Sequence, residues 1–212
     1  MADPTFEADT GATGPVALRR SPLAHLEERM DAATVTGARA VTLTERPFLT
    51  MVNLRVDPIS EAADRIGETL GAPLPDQCGH TSTSGAHTVI WLGPDEWLVL
   101  SQADATTVTA ELRKALAGAP GSVVDVSANR TTLELTGPSA RQVLEKGCPL
   151  DLHPRSFTPG RAVSTTVGPI AVVLWQLDDT PTYRLLPRSS FADHLTRWLI
   201  DAMTEYRGPV VP

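Results

Sequence analysis

The run Leu70-Gly71-Ala72-Pro73-Leu74 has a counterpart later in the chain, Lys146-Gly147-Cys148-Pro149-Leu150. Around each, the same signals follow in one order: a strand, a helix opened by proline, a glycine stop, a loop, a hairpin and a closing helix. Trp91 followed by Trp97 parallels Trp175 followed by Tyr183. Chance could supply any one match, but their shared order reads as a degenerate internal duplication. Such a chain is expected to be α+β: two similar units, each a largely antiparallel sheet with helices on one face. The units are placed at residues 21–126 and 127–208. Residues 1–20, rich in Ala, Thr, Gly and Asp without periodicity, read as a flexible tail. Residues 209–212 read as a short C-terminal tail.

The local signals are these. Ser21-Pro22-Leu23-Ala24-His25-Leu26 marks a turn or helix start that docks on the body. Two strand-like pieces fall within 39–56, where Val52, Leu54 and Val56 alternate with polar residues. Asp57-Pro58 is expected to open a helix whose apolar stripe is Ile59, Ala62, Ala63, Ile66 and Leu70, with Gly71 as its stop. Residues 72–87 read as loop. Thr88–Leu92 and Glu96–Leu100 form a hairpin, Asp104 caps a helix, and Ser122–Val126 is a strand. In the second half, Thr131–Leu135 is a strand and Gly137-Pro138 opens a helix stopped by Gly147. Residues 149–160 form a Pro-rich loop. Ile170–Trp175 and Tyr183–Leu186 pair through the Asp178-to-Pro181 turn, and Ser190 with Asp193 resembles a capping box before the last helix.

Charge and composition narrow the function classes. The chain has 212 residues and a net charge of −7, which excludes the basic footprint of a nucleic-acid groove or an anionic membrane surface. Aromatics are 5%, so the core must rest on Leu, Val, Ile and Ala. The only lysines are Lys114 and Lys146; an Arg-rich chain suits bidentate pairing at interfaces. Cys78 and Cys148 are too few for a disulfide framework and read as reduced thiols of a cytoplasmic protein. The acidic N-terminus has no apolar core of the kind a signal peptide needs, and no apolar run is long enough to span a bilayer.

Catalytic motifs are scarce. The sequence holds no glycine-rich dinucleotide fingerprint, phosphate loop or nucleophile elbow. Cys78, His80 and His87 lack the spacing of a zinc site and read as a polar loop. Cys148 reads as a small buried residue after a helix stop rather than a reactive thiol, and His153 as a loop histidine rather than a base. Asp178-Asp179 reads as a turn former. Trp91, Trp97, Trp175 and Trp198 are mostly core, with any that point outward serving as interface anchors.

One stretch is more telling. Val123-Val124-Asp125-Val126-Ser127-Ala128-Asn129-Arg130 precedes Thr132-Leu133-Glu134-Leu135-Thr136-Gly137-Pro138-Ser139-Ala140. This resembles the Asp-Val-Ser, strand, Gly-Pro-x-Ala pattern of the glycine-cleavage aminomethyltransferase (T-protein) superfamily. Extended through Lys146-Gly147-Cys148-Pro149-Leu150-Asp151-Leu152-His153-Pro154, it is similar to the gamma-subunit family of heterotetrameric sarcosine oxidases. Arg20-Ser21-Pro22-Leu23, Trp91-Leu92-Gly93-Pro94-Asp95-Glu96-Trp97 and Arg188-Ser189-Ser190-Phe191-Ala192 agree, in the right order. A related iron–sulfur maintenance family shares Lys-Gly-Cys but continues with an aromatic and Gly-Gln-Glu; here Pro149-Leu150-Asp151 follows.

The resemblance implies a fold like the T-protein folate domain and a non-catalytic, structural role beside alpha, beta and delta subunits, with alpha the expected contact. The complex it implies demethylates sarcosine oxidatively to glycine, yielding hydrogen peroxide and either formaldehyde or methylene-tetrahydrofolate. FAD, FMN, NAD and zinc are implied for the other subunits, with tetrahydrofolate as acceptor, and none for this chain. Its shortness is expected to leave out walls that would enclose a pterin. Asp125, Ser127, Asn129, Arg130, Trp91, Trp97, Cys148, Asp151 and His153 are the candidate interface or motif residues; no catalytic, cofactor or metal ligand is assigned. The competing readings are a free-standing folate-binding protein using Asp125, Asn129 and Arg130, and a gamma-like subunit of a paralogous N-methyl amine oxidoreductase.

Overall fold

The structure is a computed structural model and describes residues 18–208; the expected C-terminal tail and residues 1–17 of the expected N-terminal tail lie outside the described residues. Among the described residues there are ten strands in two five-stranded sheets. Strands β2 (Thr50–Val56), β3 (Thr81–Ser84), β4 (His87–Gly93), β5 (Glu96–Ser101) and β6 (Gly121–Asp125) form the first sheet, in the order β3-β4-β5-β2-β6. Strands β1 (Thr42–Glu45), β7 (Leu133–Thr136), β8 (Ala162–Val167), β9 (Ile170–Asp178) and β10 (Thr182–Pro187) form the second, in the order β8-β9-β10-β7-β1. All neighbours are antiparallel.

The two orders are the same if β1 stands for β6. In the first sheet the fifth strand follows its unit in sequence. In the second it is supplied from the N-terminal side of the chain. Residues 42–45 therefore join the second-half strands, and the sheets do not divide the chain cleanly at residue 126.

Period-two alternation sends each strand's side chains to two different cores. On the outer face of the first sheet, Val52, Leu54, Trp97 and Val99 pack under α2 (Glu61–Leu70) and α3 (Ala105–Leu116). On the outer face of the second, Leu133, Leu135, Leu174, Tyr183 and Leu185 pack under α1 (Glu27–Ala33), α4 (Ala140–Glu145) and α5 (Ser189–Met203). The inner faces meet each other: Met51, Ile90, Leu98 and Leu100 pack on Ala162, Val173, Trp175 and Leu186. The layers run helices, sheet, sheet, helices. Each buried Leu, Val or Ile contributes about 1.5–3 kcal/mol relative to exposure, so an aromatic-poor core suffices.

Three local expectations need correction. Helix α2 begins at Glu61, with Ser60 Oγ accepting from Ala63 N at 3.3 Å. Asp57 Oδ1 instead accepts Ile59 N within a turn, which leaves Ile59 92% exposed and outside the apolar stripe. Helix α5 has Arg188 at its N-cap position and no side-chain cap. Asp193 is held by Arg197 and His25, each at 2.6 Å, so the Ser190–Asp193 box does not form. Finally, the 72–87 loop contains β3, a Thr-Ser-Thr-Ser edge strand with no hydrophobic alternation to betray it.

Gly71 does stop α2, in the left-handed region at φ 73°. Asp104 caps α3 through Thr106 N and Thr107 N.

Candidate functional site

The Asp125-to-Arg130 motif is the joint that carries the chain from β6 of one sheet to β7 of the other. Asp125 Oδ1 accepts from Ser127 N at 2.9 Å and from Ser127 Oγ at 2.6 Å, a tight side-chain-to-backbone turn. Ser127 Oγ in turn accepts from Met51 N at 3.0 Å, and Val126 N donates to Met51 O at 2.8 Å. The joint is thereby fastened to β2. Its other end is fastened to the second sheet. Arg130 Nη1 donates to Leu186 O at 2.7 Å, Thr131 N donates to Pro187 O, and Ser189 N donates to Asn129 O at 2.8 Å. Ser189 Oγ closes the start of α5 by donating to Ala128 O.

Asp125 Oδ1 and Ser127 Oγ are thus engaged with each other and with the backbone. Asn129, which is exposed, and Arg130, which is partly exposed, also present side chains to a neighbour. Arg130 faces Arg188 across an isolated antiparallel bridge. Burial, and then the Arg188 charge, push the Arg130 guanidinium below its ordinary pKa.

A second motif cluster lies after α4. Asp151 accepts from His153 N at 2.9 Å and from Ser156 Oγ at 2.6 Å; the Ser156 bond foremost, then the His153 amide, holds its carboxyl below the usual range. His153 Nδ1 accepts from Arg155 N at 3.2 Å. Asp151 therefore shapes a loop that seats Leu152 and Phe157 in the outer core. Cys148 is buried beside them and donates its amide to Leu144 O. Among the described residues no hydrogen bond or ion pair links this cluster to Asp125–Arg130.

Of the two candidate tryptophans, Trp97 is fully buried, with Nε1 donating to Pro75 O at 2.8 Å. Trp91 is half-buried against the same outer core. Neither projects as an anchor. The large apolar side chains that do project are Leu18, Phe48, Ile59, Val124 and Phe191.

Sequence reasoning also passed over Glu134, a carboxylate inside the alternating run Leu133-Glu134-Leu135. It points to the inner face, almost fully buried, and accepts from Arg46 Nη2 at 2.8 Å and Arg184 Nε at 3.0 Å. Arg184 also lies over the Trp175 ring, 5.5 Å from its centroid. A charge at a strand position flanked by leucines was the available signal.

Clefts open on the surface of the described residues, two of them as follows. One, about 480 Å3, lies between Arg19, Ser21, Met30, Glu45, Arg46 and Phe48. The other, about 560 Å3, lies by Arg55, Pro58, Asp95 and Gly121. Among the described residues no three His, Cys, Asp or Glu gather as a metal site, and no helix is long and apolar enough to cross a membrane.

Comparison with known proteins places this geometry. The model of the "Sarcosine oxidase, gamma subunit family" matches residues 55–205. The sarcosine oxidase subunit gamma of Arthrobacter sp. is 46% identical over 195 residues, covering 92% of this chain and 94% of that protein. That of Corynebacterium sp. (strain U-96) is 45% identical with the same coverage. Among solved structures, a chain of heterotetrameric sarcosine oxidase from Corynebacterium sp. U-96, in complex with pyrrole 2-carboxylate, superposes with a TM-score of 0.88 at 44% identity. That match covers 92% of this chain and 100% of the other. The glycine cleavage system aminomethyltransferase T from Bartonella henselae shares the fold, with a TM-score of 0.60 at 16% identity, covering 84% of this chain and 56% of that one.

Proposed function

We propose that this chain, which belongs to the sarcosine oxidase gamma subunit family, is the structural gamma subunit of a heterotetrameric sarcosine oxidase. One observation carries the reading: its fold follows the whole of one chain of such a complex at a TM-score of 0.88. The reaction it would serve is the oxidative demethylation of sarcosine to glycine, with hydrogen peroxide and formaldehyde or methylene-tetrahydrofolate as products. Its partners are alpha, beta and delta subunits in the cytoplasm, with alpha the main contact.

The site chemistry supports a role in assembly rather than turnover. Ligand sites for small molecules bury most of their occupant. Here both clefts are open, and the motif's carboxylate and hydroxyl are engaged with each other and with Met51. We assign the flavins, NAD and zinc of such a complex to the other subunits.

Co-expression tests the proposal. The chain should co-purify with the other three subunits, and the complex should release hydrogen peroxide from sarcosine, while the chain alone should not. A purified chain that oxidises sarcosine unaided, or that stays apart from those subunits, overturns it.

A further inference from the structure

We infer that Arg188 and Phe191, with Arg130 behind them, form an anchor patch that receives an acidic side chain from another subunit of the oxidase. The inference rests on the assembly role proposed above and goes on to name the face and the chemistry of its partner.

Arg130 and Arg188 face each other across an antiparallel bridge. Like charges directly opposite on paired backbone are destabilising. None of the ion pairs among the described residues includes either arginine. Acids are not scarce, since the chain has 25 Asp and Glu against 18 Lys and Arg. Arg130 spends one donor on the Leu186 carbonyl, which carries no charge to offset its own. Arg188 is exposed. A guanidinium pair without a carboxylate is an arrangement completed from outside.

The surroundings select a carboxylate on a protein. Phe191, in the first turn of α5, donates its amide to Arg188 O at 2.9 Å and is 50% exposed. Asn129 adds an exposed amide beside Arg130. The first turn of the 15-residue helix α5 has neither an acidic residue nor a side-chain cap, so its dipole also favours a negative group there. None of Asn129, Arg130, Arg188 and Phe191 lines either cleft, so the patch offers a surface rather than an enclosure. Arginine and an aromatic side by side on an open surface is the composition of an interface hot spot.

Arg188→Glu tests this with two readouts of opposite sign. In the free chain it places a carboxylate opposite Arg130 and at the start of α5, so the thermal midpoint should hold or rise. In the assembly it places like charge against the partner's acid. Binding of the full-length variant to the co-expressed remaining subunits, at low salt, should weaken by about 10- to 100-fold. Arg188→Lys should retain most of the affinity and Phe191→Ala should lose part of it. Lys114→Glu, the same charge change on exposed α3, should bind as wild type. If wild type binds and Arg188→Glu binds equally well, the anchor patch is wrong and the subunit role stands. If wild type does not bind at all, the subunit role itself fails.

Discussion

Trp97 and Tyr183 occupy the same place in the two sheets. Trp97 lies on β5, paired with Leu54 on one side and Trp91 on the other. Tyr183 lies on β10, paired with Leu135 and Gln176. Each is 1% exposed and faces its own helix layer. The equivalence predicts equivalent losses. Trp97→Ala and Tyr183→Ala should each cost about 3–5 kcal/mol, read from urea unfolding midpoints. Trp97→Phe keeps most of the volume but orphans the Pro75 carbonyl, and should cost about 1–3 kcal/mol.

That pair also shows what was legible beforehand. The two units, their hairpins and most helix stripes follow from alternation, proline starts and glycine stops, all of which are local. The origin of β1 was not legible. Thr42–Glu45 carries no mark of which sheet it joins, because pairing with Leu133–Thr136 is a choice between distant edges. Polar edge strands such as Thr81–Ser84 bury too little on either face to leave a period. At the candidate site, the Asp125-to-Arg130 segment stands out in the sequence as a motif, but its place as a fastened joint depends on Met51 and Leu186, distant in sequence. The exposed aromatics proved to be Phe48 and Phe191 rather than tryptophans, since Trp area is more valuable inside a core short of aromatics.

Glu134 gives the fold an acid sensitivity. Burial by itself would raise its pKa, but hydrogen bonds and charges from Arg46 and Arg184 outweigh burial and hold it below the ordinary range. A carboxylate with a depressed folded-state pKa contributes stability above its unfolded pKa and loses that contribution as pH falls through the folded one. Glu134→Gln should therefore be less stable at neutral pH by about 1–3 kcal/mol, since Arg184 is left half-buried without a counter-charge. The gap should narrow as pH falls through and below the ordinary carboxylate range and the wild-type carboxylate protonates. Parallel stability curves down to acid would show that the carboxylate's charge is immaterial.

Gly137 is required by space as well as by conformation. Its φ is 118°, and a Cβ there would sit 2.5 Å from the Ala40 carbonyl oxygen. That oxygen accepts from Ser139 N just before α4. Gly137→Ala should cost about 1–3 kcal/mol through backbone strain alone, and more if β1 is displaced from β7. Gly37→Ala is the comparison: its φ is 87° but nothing lies within 4 Å, so strain acts there without a clash. Thermal midpoints should fall further for Gly137→Ala, and equal losses would mean that the contact with Ala40 yields freely.

Ser127 is the residue on which the joint between the sheets turns. Its hydroxyl donates to Asp125 and accepts the Met51 amide, so one side chain ties the end of β6 to β2. Ser127→Ala leaves the Met51 amide without its acceptor and should lower stability by about 1–2 kcal/mol. Asp125→Asn keeps an oxygen that can accept from Ser127 and should cost less than Ser127→Ala. The effect should also be local. Because Val126 N still holds Met51 O, amide exchange should quicken around Met51 and residues 125–130 before it quickens in the outer cores. Uniform quickening across both sheets would show instead that the joint and the cores open as one unit.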